Sequence, residues 1–269
     1  MRLLAISDLH LGHPVNRQHF ASIGASPDDW LILAGDVGET EAHLRLAFDY
    51  LRPRYARLIW VPGNHELWSS DRAPDAPRGE ARYQALVSLA RSFDVVTPED
   101  PYLLWPGSPT PLWIVPLFTL YDYTFRPDDV AADKAVAWAS EAGTVCADEL
   151  LLSPLPYPSR AAWCAARIAT TEARLAALPP DAETVLISHF PLCQAHARLP
   201  RVPRFAPWCG TRATESWPGR FRARAVVYGH LHIRRSFEEA GVRFHEVSLG
   251  YPRQWDQSST IASYIRTIL

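Results

Sequence analysis

Leu3-Leu4-Ala5-Ile6-Ser7-Asp8-Leu9-His10 sets the reading of this chain. Four apolar residues in a row suit a short strand buried on both faces, and a carboxylate and an imidazole follow at once. The same sequence of events recurs. Trp30–Ala34 runs into Gly35-Asp36, and Leu58–Val61 runs into Gly63-Asn64-His65-Glu66. Thr184–Ile187 leads to Ser188-His189, and Ala225–Tyr228 leads to Gly229-His230-Leu231-His232. In α/β sheets, ligands collect beyond the carboxyl ends of the strands. Five strand ends thus deliver metal-competent groups to one rim.

Between these runs the pattern changes to helical spacing. Thr40 to Tyr50 carries a capping residue and apolar Leu44, Ala47, Phe48 and Leu51. Glu80–Ser92, Asp129–Glu141 and Ser159–Leu178 are further helix candidates, while Trp113–Leu117 and Val242–Val247 continue the strand series. Ile261–Ile268 reads equally as an edge strand or a terminal helix. Alternating strands and helices, followed by strand-rich sequence, predict an α/β class with mixed sheets. The 269 residues suffice for one large domain, 1–269. An irregular insert is expected at about 97–160, and an arginine- and tryptophan-rich loop at about 198–220.

Composition excludes several classes. A formal net charge of −2 gives no global attraction to nucleic acid or to anionic membranes. No apolar stretch approaches the ~20 residues that span a bilayer, and the start of the chain lacks the order of a signal peptide. Cys146, Cys164, Cys193 and Cys209 are widely spaced with no C-x-x-C pair, which suits free thiols in a reducing compartment. A cytoplasmic protein is expected.

Residues i and i+2 of an extended chain point the same way, so Asp8 and His10 can face one ion while Leu9 faces the core. His230 and His232 repeat that spacing around Leu231. Asp-x-His or Gly-Asp alone is common polar surface. The set decides, because these motifs hold five of the chain's ten histidines, each at a strand end. Mixed carboxylate, imidazole and amide ligands suit two divalent ions such as Mn, Fe, Ni or Zn, and two close ions clamp a phosphate and activate water.

The motifs resemble those of calcineurin-like metallophosphoesterases, whose pattern is D-x-H, G-D-x-x-[D/E], G-N-H-[D/E], a later H, and G-H-x-H. The resemblance spans residues 8 to 232 and implies a two-sheet β-sandwich flanked by helices, in four α/β/β/α layers. It implies that Asp8, His10, Asp36 and His232 hold one ion and that Asp36, Asn64, His189 and His230 hold the other, with Asp36 bridging. A hydroxide shared between the ions would attack phosphorus, and His65 would protonate the leaving oxygen or steady the phosphate charge. Either Glu39 or Glu66 would hold His65. Glu39 replaces the commoner Asp, and Thr40-Glu41 stands where protein serine/threonine phosphatases carry an arginine, which disfavours that subgroup.

The substrate is less legible. Arg198, Arg201, Arg204, Arg212, Arg220, Arg222 and Arg224 fall between His189 and His230 with a single acid, Glu215. From this stretch Arg204 and Arg212 are predicted to grip an anionic substrate, with Trp208 as an aromatic wall. Trp68, Trp217, Trp255, Tyr121, Tyr123, His13 and Arg253 are weaker candidates. The expected activity is metal-dependent hydrolysis of a small-molecule or nucleotide phosphoester. A DNA or RNA nuclease is the second reading and a non-catalytic metal-binding scaffold the third.

Overall fold

The computed structural model describes residues 1–69 and 75–269. Its strands are β1 (Leu3–Ile6), β2 (Ser26–Leu33), β3 (Tyr55–Trp60), β4 (Val95–Val96), β5 (Leu103–Leu104), β6 (Leu112–Pro116), β7 (Glu183–Ile187), β8 (Ala223–Tyr228), β9 (Arg235–Glu239), β10 (Val242–Glu246) and β11 (Arg266–Thr267). The helices are α1 (Pro14–Phe20), α2 (Glu41–Leu51), α3 (Asn64–Leu67), α4 (Gly79–Ser92), α5 (Ala135–Ser140), α6 (Asp148–Leu151), α7 (Arg160–Ala176) and α8 (Trp217–Arg220). One sheet has the order β11-β1-β2-β3-β4 and the other β5-β6-β7-β8-β10-β9. In each, the central strands are parallel and antiparallel pairing is confined to the edges.

Period-two alternation explains why the runs are apolar throughout. Leu3, Ala5, Ile32, Ala34, Ile59 and Val61 of the first sheet share one buried cluster with Ile114, Val185, Ile187, Ala225 and Val227 of the second. Most of these are small or β-branched, which lets the two inner faces pack closely. The alternate residues, Leu4, Ile6, Leu31, Leu33, Leu58 and Trp60, and Leu186, Val226 and Tyr228, belong to the larger outer cluster. That cluster also holds Leu44 and Phe48 of α2, Leu86 and Val87 of α4, and Trp163 and Ile168 of α7. The sandwich flanked by helices is therefore present.

Capping fixes the long helices. Thr40 accepts from the His43 amide and Ser159 from the Ala162 amide. The helix predicted over 129–141 is instead a single 3-10 turn, Ala132–Lys134, followed by the short α5. The stretch at 261–268 divides, with a 3-10 turn at Ile261–Tyr264 and then the edge strand β11. Segment 97–160 contains β5 and β6 of the second sheet as well as α5 and α6. Among the described residues, no helix is long and apolar enough to cross a membrane.

The rims of the two sheets meet. Ser7, just past β1, bridges Ser248, just past β10, in parallel register. The Ser7 amide donates to the Val247 carbonyl (3.1 Å) and the Leu249 amide to the Ser7 carbonyl (2.9 Å). We expect Ile59→Ala, which hollows the inner cluster, to cost ~2–5 kcal/mol, and Ile59→Val ~0.5–1.5 kcal/mol, read as shifts in the urea unfolding midpoint.

Candidate metal centre

Five residues of the predicted ligand set take left-handed backbone angles: Asp8 (φ 54°), His10 (43°), Asp36 (52°), His230 (70°) and His232 (53°). The chain is therefore coiled here, not extended, and this corrects the i, i+2 reasoning. Leu9 still turns inward, fully buried, but His230 and His232 point to different groups. Aspartate and histidine tolerate this region better than most residues. Close approach of loops requires glycine at two places. A Cβ on Gly63 would lie 2.1 Å from Asp36 Oδ1, and one on Gly229 would lie 2.4 Å from Asp8 Oδ2.

The ligand atoms fall into three overlapping groups: Asp8, His10 and His232; His10, Asp36 and His65; and Asp36, His189 and His230. His232 Nε2 lies 3.0 Å from Asp8 Oδ1 and 3.1 Å from His10 Nε2. His189 Nε2 lies 3.5 Å from Asp36 Oδ2. Asn64 Oδ1, His189 Nε2 and His230 Nε2 are buried with no hydrogen-bond partner. Such unpartnered polar atoms are costly in a protein interior, and they are the atom types a divalent cation takes. For His189, His232 and Asn64 the opposite side of the ring or amide is held. His189 Nδ1 faces the Ala34 carbonyl (2.9 Å), His232 Nδ1 faces Gln254 Oε1 (2.7 Å), and Asn64 Nδ2 donates to Asp148 Oδ1 (2.9 Å). Carbonyl partners at Nδ1 leave Nε2 directed at the site, the arrangement a metal ligand needs.

Electrostatics agree with a cationic occupant. Burial alone would raise the Asp8 carboxyl, but the charge and hydrogen bond of His232 hold it far below the ordinary range. Asp36 is likewise held low against burial, chiefly by His189 and His65. Burial drops His10 and His230 to about 3, so both rings are neutral and ready to ligate. His189 resists burial and rises to about 10 under the pull of Asp36. An ion needs that nitrogen bare, so binding expels a proton and weakens as pH falls.

His65 stands apart. Its Nε2 is 3.7 Å from Asp36 Oδ2, its Nδ1 is 3.5 Å from Glu39 Oε1, and Trp68 covers its ring at a centroid distance of 3.7 Å. Burial opposes the charged ring, yet Asp36, Glu39 and Asp148 together raise it to about 9. A protonated imidazole facing the cluster is a proton donor at neutral pH. Of the two acids predicted to hold it, Glu39 does so. Glu66 is buried and accepts the amides of Asp36 (3.0 Å), Val37 (2.6 Å) and Gly63 (2.9 Å), which locks two ligand loops together.

The profile of the calcineurin-like phosphoesterase family matches residues 1–234. The chain belongs to that family. It is a phosphoester hydrolase of the metal-dependent kind, and the family's centre is binuclear. The chain is 48% identical to the [acyl-carrier-protein] phosphodiesterase PptH of Mycobacterium tuberculosis (strain ATCC 25618 / H37Rv), over 99% of this chain and 83% of that one. The crystal structure of phosphopantetheinyl hydrolase (PptH) from Mycobacterium tuberculosis superposes with a TM-score of 0.94, at 48% identity, covering 100% of this chain and 95% of that one.

The predicted substrate residues lie elsewhere than expected for this phosphoesterase. Trp208 is fully buried and donates to Glu149 (2.7 Å), so it offers no face to a ligand. Arg204 lies over the Trp138 ring (4.8 Å) and binds Glu141 (3.2 Å). Arg212 binds Asp128 (2.6 Å) and Gln194 (2.8 Å). Tyr121 is buried on Asp148, Tyr123 binds Glu149, and Trp217 and Trp255 are core. The cations at the mouth are Arg201 and Arg253. Both line a cleft that includes His232, and neither makes a hydrogen bond or ion pair among the described residues.

Asp148, Gln254 and Ser248 were missed. Asp148 also accepts from Trp68 Nε1 (2.6 Å), and Ser248 donates to Asp8 Oδ2 (2.8 Å). Gln254 falls in the turn after Val242–Val247, where a search for side chains beyond a strand end would have reached it. Asp148→Asn removes the charge that orients the Asn64 amide. It should weaken metal affinity about 10–100-fold, read by titration with metal content measured by mass spectrometry.

Proposed function

We propose that this chain hydrolyses the phosphodiester that joins a phosphopantetheinyl group to a carrier protein, releasing the group from the protein. The support is the 48% identity to PptH along 99% of this chain, in a sequence that keeps the whole predicted ligand set and His65. In this reading Asp8, His10, Asp36 and His232 hold one ion, and Asp36, Asn64, His189 and His230 hold the other. The mixed oxygen and nitrogen donors suit Mn, Fe, Ni or Zn, manganese included. When bound, the ions lower the pKa of water and polarise the phosphate.

The chain's own residues do the rest. Arg253 has no side-chain partner among the described residues and lines both hollows that flank the cluster, one containing His232 and the other His65. It neutralises the non-bridging phosphate oxygens by charge-assisted contact. His65 Nε2 faces the cluster and gives its proton to the departing alkoxide. Glu39 and the Trp68 ring keep that imidazole charged and oriented. A cytoplasmic location is part of the reading and accords with four unbridged cysteines.

The acid role is testable through the leaving group. His65→Ala should lower kcat about 10²–10⁴-fold for an alkyl diester, with a far smaller loss for a 4-nitrophenyl diester whose leaving group needs no proton. Equal losses on both would refute the role. The acid must hold its proton, so the basic limb of the kcat–pH profile follows the His65 pKa. Glu39→Gln removes one of the charges that raises it, and the limb should move to lower pH.

A further inference from the structure

The two hollows that share Arg253 differ in shape. The one beside His65 is walled by His13, Trp68, Tyr251 and Pro252, holds 550 Å³, and is the shallower and more open. The one beside His232 holds 570 Å³, is the more enclosed, and is lined by Leu199, Val202, Leu231 and Ile233 with Arg201 and Gln254. A phosphodiester has two substituents, and the position of the acid distinguishes them. The departing oxygen must lie near His65, so the group it carries extends over the open hollow. The group that keeps the phosphate extends the other way, past His232.

We infer that the more enclosed of the two, the cleft beside His232, binds the pantetheine arm, while the more open hollow beside His65 receives the serine of the folded carrier. The assignment rests on the function proposed above and goes further, to the residues that select the arm. A slender chain fits an enclosed cleft, and a folded protein needs an open face. Leu199, Val202, Leu231 and Ile233 provide apolar contact for the arm's dimethyl and methylene groups. Its amide carbonyls need donors, and the Arg201 guanidinium and Gln254 Nε2 offer them, since neither has an acceptor among the described residues. Chemically, the bond from phosphorus to the serine oxygen breaks and a bond from water oxygen to phosphorus forms. The His65 proton goes to the serine oxygen, the attacking water gives up a proton that solvent returns to His65, and the phosphate leaves with the arm as a monoester.

Val202 is 46% exposed, so Val202→Trp fills the cleft without touching the core. The experiment compares the metal-loaded wild type with this variant on phosphopantetheinyl carrier protein and on methyl 4-nitrophenyl phosphate, which has no arm. Calorimetry with 4′-phosphopantetheine and with inorganic phosphate gives a readout independent of turnover, and thermal melting checks the fold. The variant should raise KM for the carrier substrate and the Kd of 4′-phosphopantetheine by about tenfold, with kcat little changed and a clearly smaller effect on the aryl diester and on phosphate. A wild type active on the carrier protein, with a folded variant that shifts both substrates equally or neither, overturns the cleft assignment alone. A wild type inert on the carrier protein but active on the aryl diester overturns the proposed substrate, and the cleft assignment falls with it.

Discussion

The site depends on the place where the two sheets meet. Ser7 follows β1 of one sheet and pairs by main chain with Val247 and Leu249, which flank Ser248 beyond β10 of the other. Backbone pairing fixes distance and direction at once, so Asp8 arrives beside the loop after β8. One of its oxygens accepts from the His230 amide (3.0 Å), Ser7 Oγ (2.6 Å) and Ser248 Oγ (2.8 Å). The other is left toward His232 and His10. A carboxylate tied down on one oxygen is pre-organised on the other, which is how outer groups tune a metal site. Residues from the two ends of the chain are joined there before any ion enters.

The cost of this arrangement is visible in the backbone. Left-handed angles at non-glycine residues carry roughly 1–3 kcal/mol each, and five of the candidate ligands adopt them. The surrounding hydrogen bonds over-determine those conformations. Asp8 N binds the Gly35 carbonyl, His10 N the Asp36 carbonyl, and Gly229 N the His189 carbonyl, each within 3.0 Å. Glu66 adds three more bonds across two loops. Burial and the Asp36 carboxylate push Glu66 up to about 7, while its amide donors favour the charged form. Strain, buried charge and orphaned acceptors concentrate within one small volume, as expected where two cations offset all three.

The strands and the cluster of candidate ligands were legible because each rests on a local signal: an apolar run followed within a few residues by Asp, Asn or His. The runs before Asp8, Asp36, His189 and His230 form β1, β2, β7 and β8. Three kinds of feature were not legible. β9 is a polar edge strand with no buried face to leave a pattern, and β4 and β5 are two residues each. The basic stretch 198–224 looked unbalanced because its counter-charges are distant in sequence. Asp128, Glu141 and Glu172 neutralise Arg212, Arg204 and Arg220 across gaps of 84, 63 and 48 residues. Asp148 stands in no motif, and only the fold brings it to Asn64.

Asp148 also shows what segment 97–160 contributes to the centre. Its carboxylate meets Asn64 and Trp68 on one oxygen and Tyr121 on the other. It thereby links Asn64, a candidate metal ligand, to the aromatic ring that covers His65. Trp68 cannot turn away from His65 without leaving that carboxylate short of a donor, and a buried carboxylate tolerates that poorly. In the proposed mechanism, metal coordination and proton donation are thus coupled through one side chain outside both. The arginines that looked most exposed in sequence hold this segment to the 198–220 loop. Among the described residues, the cations at the mouth are Arg201 and Arg253, on opposite sides of the His232 cleft's lining in sequence and outside any motif. In the proposed reading, substrate selection falls to residues beyond the motifs at the strand ends, on loops where Arg204, Arg212 and Arg220 are already paired with acids.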